Sequence, residues 1–136
     1  MAGQAGTPLP RKLGIKPGHE MALIGAPDGL ASHLCPLPGV TVSAGLGGTD
    51  PLDVIVTFLH WRHELEEQLP GLRERMAPAC GLWVAWPKRA ARVPTDMTDE
   101  VVREVALPTG LVDNKVCAID ATWTALRLVI RRELRP

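Results

Sequence analysis

The sequence has no excess of charge of either sign, because 15 lysine and arginine residues balance 15 aspartate and glutamate residues. A neutral chain creates no long-range field that would attract nucleic acid or an anionic membrane, so neither is expected as a partner. The sequence also lacks a run of about 18 apolar residues, and residues 1–10 lack the apolar stretch of a signal peptide. We therefore expect a cytoplasmic protein.

Cysteine is scarce, and its spacing excludes the common metal and redox motifs. Cys35, Cys80 and Cys117 are too far apart for a CxxC pair, and each lies within or beside an apolar run. We expect reduced, buried thiols that behave as small apolar side chains. His60 and His63 could share one helical face, but no third ligand is evident, so no metal site is expected.

Tyrosine is absent and there is one phenylalanine, whereas four tryptophans are present. Trp83 and Trp86 are three residues apart, so in a strand they would point to opposite faces of the sheet. Trp123 follows a predicted turn, which favours an anchoring role in a hairpin. No Ser-His-Asp order, nucleophile elbow or phosphate-binding glycine loop occurs, so no catalytic residue is assigned.

What the sequence does contain is typical of one globular domain. Apolar residues make up 46% and charged residues 22% of the 136 residues, while 13 prolines and 13 glycines predict short elements joined by tight turns. This composition excludes a coiled coil and a long helical bundle. We predict a flexible leader at 1–10, one domain at 11–132 and a charged tail at 133–136.

Hydrophobic patterning places the elements along the chain. A stripe formed by Leu65, Leu69, Leu72 and Met76 predicts an amphipathic helix at 62–76, with a kink or a break at Pro70. A second helix at 99–106 would be capped by Thr98 and ended by Gly110, and one or two helical turns fit 30–34. An extended segment is predicted at 12–16, and strands at 19–25, 40–43, 53–59, 82–86, 112–119 and 123–131.

This order of elements predicts a three-layer α/β fold with a mostly parallel sheet and an antiparallel hairpin at its C-terminal end. Over residues 21–132 it resembles the class I methyltransferase variant of the Rossmann fold. The resemblance is carried by the strand-to-glycine passage at Leu23–Gly25, by Asp53 at the start of the central strand, and by the helix, proline–glycine and strand passage at 72–84.

The sequence also resembles a short, uncharacterised bacterial family. This likeness rests on Lys12–Lys16, on Trp86–Lys88, and on the turn at Asp120–Trp123 that is followed by Leu126–Val129. It extends over almost the whole chain, but it implies no activity.

The methyltransferase resemblance implies a site for S-adenosylmethionine, yet the sequence departs from it at several positions. Leu23 stands where the superfamily has an acid, and Pro27 replaces the middle glycine of the loop. The second strand ends at Ser43–Gly45 without an acid for a ribose, and only residues 45–51 lead to the next strand. The usual third strand is thus missing, and 58–61 lacks the Asn/Asp-Pro-Pro-aromatic signature. We therefore expect no cofactor and do not expect S-adenosylmethionine to bind.

Several polar and aromatic residues follow the ends of the predicted parallel strands, where open α/β sheets bind ligands. We expect a small-ligand crevice lined by Gly25, Asp28, Gly29, His60, Trp86 and Lys88. Lys88 also belongs to a basic loop that could hold a phosphate or carboxylate group.

These features favour a non-catalytic module that binds a small molecule or a protein. The alternative is a divergent S-adenosylmethionine-dependent methyltransferase or another transferase. Without a third strand, the edge at 40–43 would be free to pair with another chain, although Pro36 and Pro38 oppose this. We expect a monomer or a weak homodimer.

Overall fold

A computed structural model describes residues 8–28, 30 and 39–135, in which short helices alternate with the strands of one sheet. The helices are α1 (Leu9–Lys12), α2 (Arg62–Arg75) and α3 (Asp99–Ala106). The strands are β1 (Glu20–Ile24), β2 (Thr41–Ser43), β3 (Leu52–Phe58), β4 (Met76–Pro87), β5 (Leu111–Ala118) and β6 (Trp123–Ile130). Single 3₁₀ turns occupy Arg89–Ala91, Leu107–Thr109 and Arg132–Leu134.

The six strands pair in the order β2-β1-β3-β4-β6-β5. β2, β1, β3 and β4 run parallel, whereas β6 is antiparallel to both β4 and β5. The predicted fold class, a mostly parallel α/β sheet with a C-terminal antiparallel hairpin, is confirmed. In the described part of the chain β2 is an edge strand of the sheet. The chain then crosses over β1 to reach β3, and the short linker at 45–51 makes this connection.

Apolar side chains cover both faces of the sheet and form two core layers. In the helical layer, α2 and α3 bury residues such as Leu72 and Val102 against one face. In the N-terminal layer, Leu13 and Ile15 pack against the opposite face, where Trp83 is fully buried. Trp86 belongs to the helical layer, so the prediction that Trp83 and Trp86 point to opposite faces is confirmed.

The N-terminal segment differs from its prediction. The extended segment expected at 12–16 is wrong over 12–14, because Leu9–Lys12 forms a helical turn with Pro10 near its beginning, where proline is tolerated, and Leu13 and Gly14 continue it as a turn. The leader predicted at 1–10 overlaps this helix, while residues 1–7 lie outside the described residues. Of the helical turns predicted at 30–34, the described residues contain only Leu30, which is buried in the N-terminal layer.

The passage from α2 to β4 also differs. α2 runs as one helix through Pro70, so a break into two helices is wrong, and the burial of Leu69 and Leu72 outweighs the loss of one backbone hydrogen bond at the proline. β4 begins at Met76 rather than at Leu82, so Pro78 and Gly81 lie within the strand. Near Pro78 the pairing of β3 with β4 is irregular, as a proline in a strand requires.

Helix α3 and the hairpin formed by β5 and β6 agree with their predictions. The Thr98 hydroxyl accepts a hydrogen bond from the Val101 amide at 3.1 Å, which is the expected N-cap of α3. Gly110 has φ +85° after the 3₁₀ turn that follows α3. In the turn before β6, the Asp120 carboxylate accepts hydrogen bonds from the Thr122 and Trp123 amides, each at 2.8 Å.

Two of the three cysteines are buried thiols as predicted, and the third, Cys35, lies outside the described residues. Cys80 and Cys117 form no disulfide. Burial raises the pKa of the Cys80 thiol to about 12, and the nearby Asp53 carboxylate adds to this effect. Cys80 is therefore protonated at neutral pH and is a poor nucleophile.

The raised pKa of Cys80 predicts a loss of stability at alkaline pH. The folded state holds the proton that the unfolded thiol releases near pH 9, so stability is complete below pH 9 and falls by about 1.4 kcal/mol per pH unit above it. Urea unfolding at pH 8 and pH 10 should show a smaller fall for Cys80→Ala than for the native chain. Equal falls in the two proteins would contradict this prediction.

Candidate functional site

β1, β3 and β4 all end at one edge of the sheet, the carboxyl edge, where β6 begins. The first residue after β1, Gly25, has φ +68° and is solvent-exposed. A Cβ atom at Gly25 would lie 3.1 Å from the carbonyl oxygen of Phe58 at the end of β3. Only glycine fits this turn without strain, because both the backbone angle and the neighbouring carbonyl oppose a side chain.

An aromatic group continues from Phe58 along this edge. The rings of Phe58 and Trp123 meet edge-to-face with centroids 5.1 Å apart, and the His60 ring meets Trp123 at 5.3 Å. Phe58 is buried, whereas His60 and Trp123 are half-buried and remain accessible. We call Gly25, Phe58, His60 and Trp123 the carboxyl-edge cluster; it extends the N-terminal layer of the core.

Hydrogen bonds to Glu64 and Thr95 hold the backbone of His60 in place. The Glu64 carboxylate accepts hydrogen bonds from the amides of His60 at 2.8 Å and Trp61 at 2.9 Å, and it thereby caps the start of α2. The Thr95 hydroxyl donates to the His60 carbonyl oxygen and accepts from the Met97 amide. The backbone that carries the imidazole is therefore fixed at the edge of the sheet.

The same amides lower the pKa of Glu64, with the His60 N–H as the largest cause. Because this pKa is depressed in the folded state, its stabilising effect is present above pH 4.5 and is lost as pH falls through the folded value. Glu64→Gln should therefore lower the free energy of unfolding at pH 7 by about 0.5–1 kcal/mol and by much less at pH 3.

The matched control for this prediction is Glu67→Gln, because Glu67 is exposed on the same helix and is not at its N-terminus. Urea unfolding at pH 7 and pH 3 measures both variants against the native chain. A cost for Glu64→Gln that is the same at the two pH values would contradict the prediction.

Trp86 lies apart from the carboxyl-edge cluster and lines a cavity. This cavity has a volume of about 400 Å³ and lies on the helical layer, between the loop after β4 and the start of α3. Trp86, Arg89, Thr95, Asp96, Met97 and Asp99 are among its lining residues. The Asp96 carboxylate already accepts the Arg62 amide at 2.7 Å, and Asp99 pairs with Arg103 at 3.2 Å.

The residues expected to line one crevice thus lie in two places. Gly25 and His60 belong to the carboxyl-edge cluster, while Trp86 lines the cavity on the helical layer. Lys88 is joined to the hairpin turn through its amide, which donates to the Thr122 carbonyl at 2.7 Å. Asp28 is exposed in the loop after β1, and Gly29 lies outside the described residues. A ligand-binding role for these residues stays a prediction.

Sequence reasoning missed four residues that shape this edge: Phe58, Glu64, Thr95 and Trp123. Glu64 carried a signal, because a glutamate at the third position of a helix often caps its N-terminus. The contacts of Phe58 with Trp123 and of Thr95 with His60 join residues that are far apart in the chain, and no local pattern indicates them.

Several solved structures share this arrangement of strands and helices. A ribosomal protein L11 methylase from Lactobacillus delbrueckii subsp. bulgaricus matches with a TM-score of 0.60 at 10% identity, covering 90% of this chain and 75% of that one. A SAM-dependent methyltransferase from Aquifex aeolicus matches with a TM-score of 0.62 at 12% identity, covering 88% and 87%. Fibrillarin from Aeropyrum pernix, solved with natively bound S-adenosyl-L-methionine, matches with a TM-score of 0.61 at 14% identity, covering 84% and 67%.

The chain has a methyltransferase-like Rossmann fold. No protein-family model matches it, and no curated protein is similar to it in sequence. The likeness to a short bacterial family therefore stays a prediction, whereas the methyltransferase-like fold is confirmed.

On this methyltransferase-like fold, the end of β2 departs from the superfamily pattern. The Ser43 hydroxyl lies 3.4 Å from the Met21 carbonyl oxygen and 3.2 Å from that of Gly45, so it donates to the backbone. No carboxylate follows β2 before Asp50, which lies close to the start of β3. The residues after β2 therefore lack the acid that the methyltransferase resemblance implies there, whereas a glycine turn follows β1.

The described part of the chain contains neither a cluster of metal-binding side chains nor a membrane-spanning helix. Within residues 8–28, 30 and 39–135, no group of three or more histidine, cysteine, aspartate or glutamate side chains is placed to hold a metal ion. None of the helices in these ranges has the length and apolar character needed to cross a bilayer.

Proposed function

We propose that this chain is a divergent S-adenosylmethionine-dependent methyltransferase domain that binds its cofactor at the carboxyl-edge cluster. The observation that supports this most is the juxtaposition of the left-handed glycine turn at Gly25 with the Phe58, His60 and Trp123 rings, at the edge where such sheets bind ligands. Among the proteins of the same fold, the Aeropyrum fibrillarin was solved with this cofactor bound.

The residues of the cluster suit particular parts of such a ligand. Gly25 is exposed and has no side chain, so a ligand can approach its backbone, and the exposed Asp28 carboxylate in the same loop can accept hydrogen bonds from hydroxyl or amino groups. The cofactor supplies an electrophilic methyl group on a sulfonium cation. Aromatic rings such as Trp123 attract cations, and the fixed His60 offers a hydrogen-bonding nitrogen beside them.

A methyl acceptor would have to reach the transferred methyl group directly, so its pocket must adjoin the carboxyl-edge cluster, and the cavity at Trp86 is the candidate because Thr95 joins the two. Its volume of about 400 Å³ lies within the range for small-molecule sites, and its walls combine the Trp86 and Met97 side chains with the Arg89 guanidinium. Thr95 contributes to this cavity and also binds the His60 carbonyl, so the two sites share one loop.

A second candidate function is a non-catalytic module that binds another small molecule or a protein. It is favoured by Pro27, which removes a backbone donor from the loop after β1, and by the absence of an acid at the end of β2. Native mass spectrometry of freshly purified protein distinguishes the candidates, since a retained ligand or partner appears as added mass.

Calorimetric titration with S-adenosylmethionine and S-adenosylhomocysteine tests the first proposal. We expect micromolar binding by the native chain, and binding at least tenfold weaker for Trp123→Leu. Trp61→Leu is the matched control, because Trp61 is 39% exposed and lies next to His60 without contacting its ring. Absence of binding at millimolar ligand would overturn the proposal, and equal weakening by both variants would remove Trp123 from the site.

A further inference from the structure

Two arginines lie together at the amino edge of the parallel strands, opposite the carboxyl-edge cluster. Arg127 belongs to β6, and its half-buried guanidinium lies over Gly81 of the adjacent strand β4. A Cβ atom at position 81 would lie 2.5 Å from Nε of Arg127 and 3.0 Å from its Cζ. Gly81 thus leaves the space that the guanidinium occupies, which gives a reason for a glycine inside β4.

A cavity opens beside this guanidinium. Its volume is about 230 Å³, the space of roughly seven waters at about 30 Å³ each, and it is lined by Pro78, Ala79, Asn114, Arg127, Val129 and Arg135. The Arg135 Nε donates to the Ile130 carbonyl oxygen at 2.9 Å. This hydrogen bond does not use the two terminal nitrogens of the Arg135 guanidinium. Arg127 has one weak contact, from Nη1 to the Asn114 side-chain oxygen at 3.4 Å.

The two guanidiniums have no carboxylate partner among the described residues, in contrast to Arg62, Arg103 and Arg131, each of which pairs with an acid. Burial lowers the pKa of Arg127, and the charge of Arg135 acts in the same direction. A half-buried, unpaired charge is unfavourable, so the arrangement favours an anion that supplies the missing partner.

We propose that Arg127 and Arg135 form a binding site for the phosphate group of a small phosphorylated ligand. A phosphate monoester carries a charge of about −1.5 to −2 at pH 7, which matches two guanidiniums better than a single carboxylate does. Each guanidinium can give two parallel hydrogen bonds to phosphate oxygens. The chain is neutral overall, which favours a small ligand over a nucleic acid. The site does not depend on the proposed methyl transfer.

Thermal unfolding with added anions tests this site. Inorganic phosphate and an alkyl phosphate monoester should each raise Tm of the native chain in proportion to the logarithm of concentration, above the effect of acetate or chloride at equal ionic strength. A larger effect of the monoester would indicate an organic phosphate as the ligand, and equal effects would indicate free phosphate. A short RNA added in the same way should give no larger shift than phosphate.

Arg127→Met keeps most of the apolar packing over Gly81 and removes the charge, and it should abolish the phosphate-dependent shift. Without phosphate its Tm should equal or exceed that of the native chain, because an unpaired charge has been removed. Arg132→Gln is the matched control, since Arg132 lies in the same tail but does not line the cavity. No phosphate-specific shift in the native chain, or an equal shift in Arg127→Met, would overturn the proposal.

Discussion

Replacing Trp83 with alanine is expected to lower the free energy of unfolding by about 3–5 kcal/mol. Trp83 is completely buried in the N-terminal layer. Its indole Nε1 donates to the Leu13 carbonyl oxygen at 3.0 Å, a contact that joins the N-terminal segment to the centre of the sheet across 70 residues. The substitution would leave a cavity and an unsatisfied buried carbonyl. The free energy of unfolding of a typical domain is about 5–15 kcal/mol, so a loss of this size is large.

Urea unfolding followed by circular dichroism measures this cost. Trp83→Phe separates its two causes, because the ring is largely kept while the donor to Leu13 is lost, and an intermediate cost is expected. Trp61→Ala is the matched control: Trp61 is 39% exposed, so its removal should cost less than about 1 kcal/mol. A cost for Trp83→Ala no greater than that for Trp61→Ala would show that the N-terminal layer is not part of the cooperative core.

The second large effect is expected at Gly25. Gly25→Ala should lower the free energy of unfolding by about 1–2 kcal/mol, because an alanine at φ +68° is strained. The added Cβ would also lie 3.1 Å from the Phe58 carbonyl, so the end of β3 must shift. Since that shift moves the backbone next to His60, we expect S-adenosylhomocysteine to bind at least tenfold more weakly, as measured by calorimetry.

Two other glycines separate the causes of this effect. Gly14 has φ +78° and no atom within 4 Å of the position that a Cβ would take, so Gly14→Ala reports the backbone strain alone. Gly47 has neither a positive φ nor a close neighbour, so Gly47→Ala should change little. Both variants should bind the ligand as the native chain does. Unchanged binding by Gly25→Ala would remove the glycine turn from the site.

Much of the fold could be predicted because its signals are local. The apolar run at 53–59 and the polar turn at 120–122 predict a buried strand and a tight antiparallel pair, and β3, β5 and β6 agree with this. The beginning of β4 could not be predicted in this way. Pro78 and Gly81 indicate a turn when only neighbouring residues are considered, yet Gly81 pairs with Val54 within the strand, and the distant Arg127 fills the space that a side chain would take.

The position of the candidate site follows from topology, but its composition does not. Residues that follow parallel strands meet at one edge, which brings Gly25 and His60 to the carboxyl edge. Which side chains meet across that edge depends on pairing between strands that are distant in sequence, such as the pairing of Phe58 with Ala85, and no local pattern indicates this pairing. For that reason the sequence alone assigns Trp86 to the same crevice as His60 and leaves Trp123 out of it.

The most direct test of the account is the response of individual nuclei to S-adenosylhomocysteine. In two-dimensional ¹⁵N spectra of the native chain, we expect the amides of Gly25 and His60 and the indole N–H of Trp123 to shift together and saturate at one ligand concentration. Signals from Arg127 and Lys115, at other parts of the sheet, should stay unchanged. Spectra that do not change at saturating ligand, or that change only away from the carboxyl edge, would contradict the account.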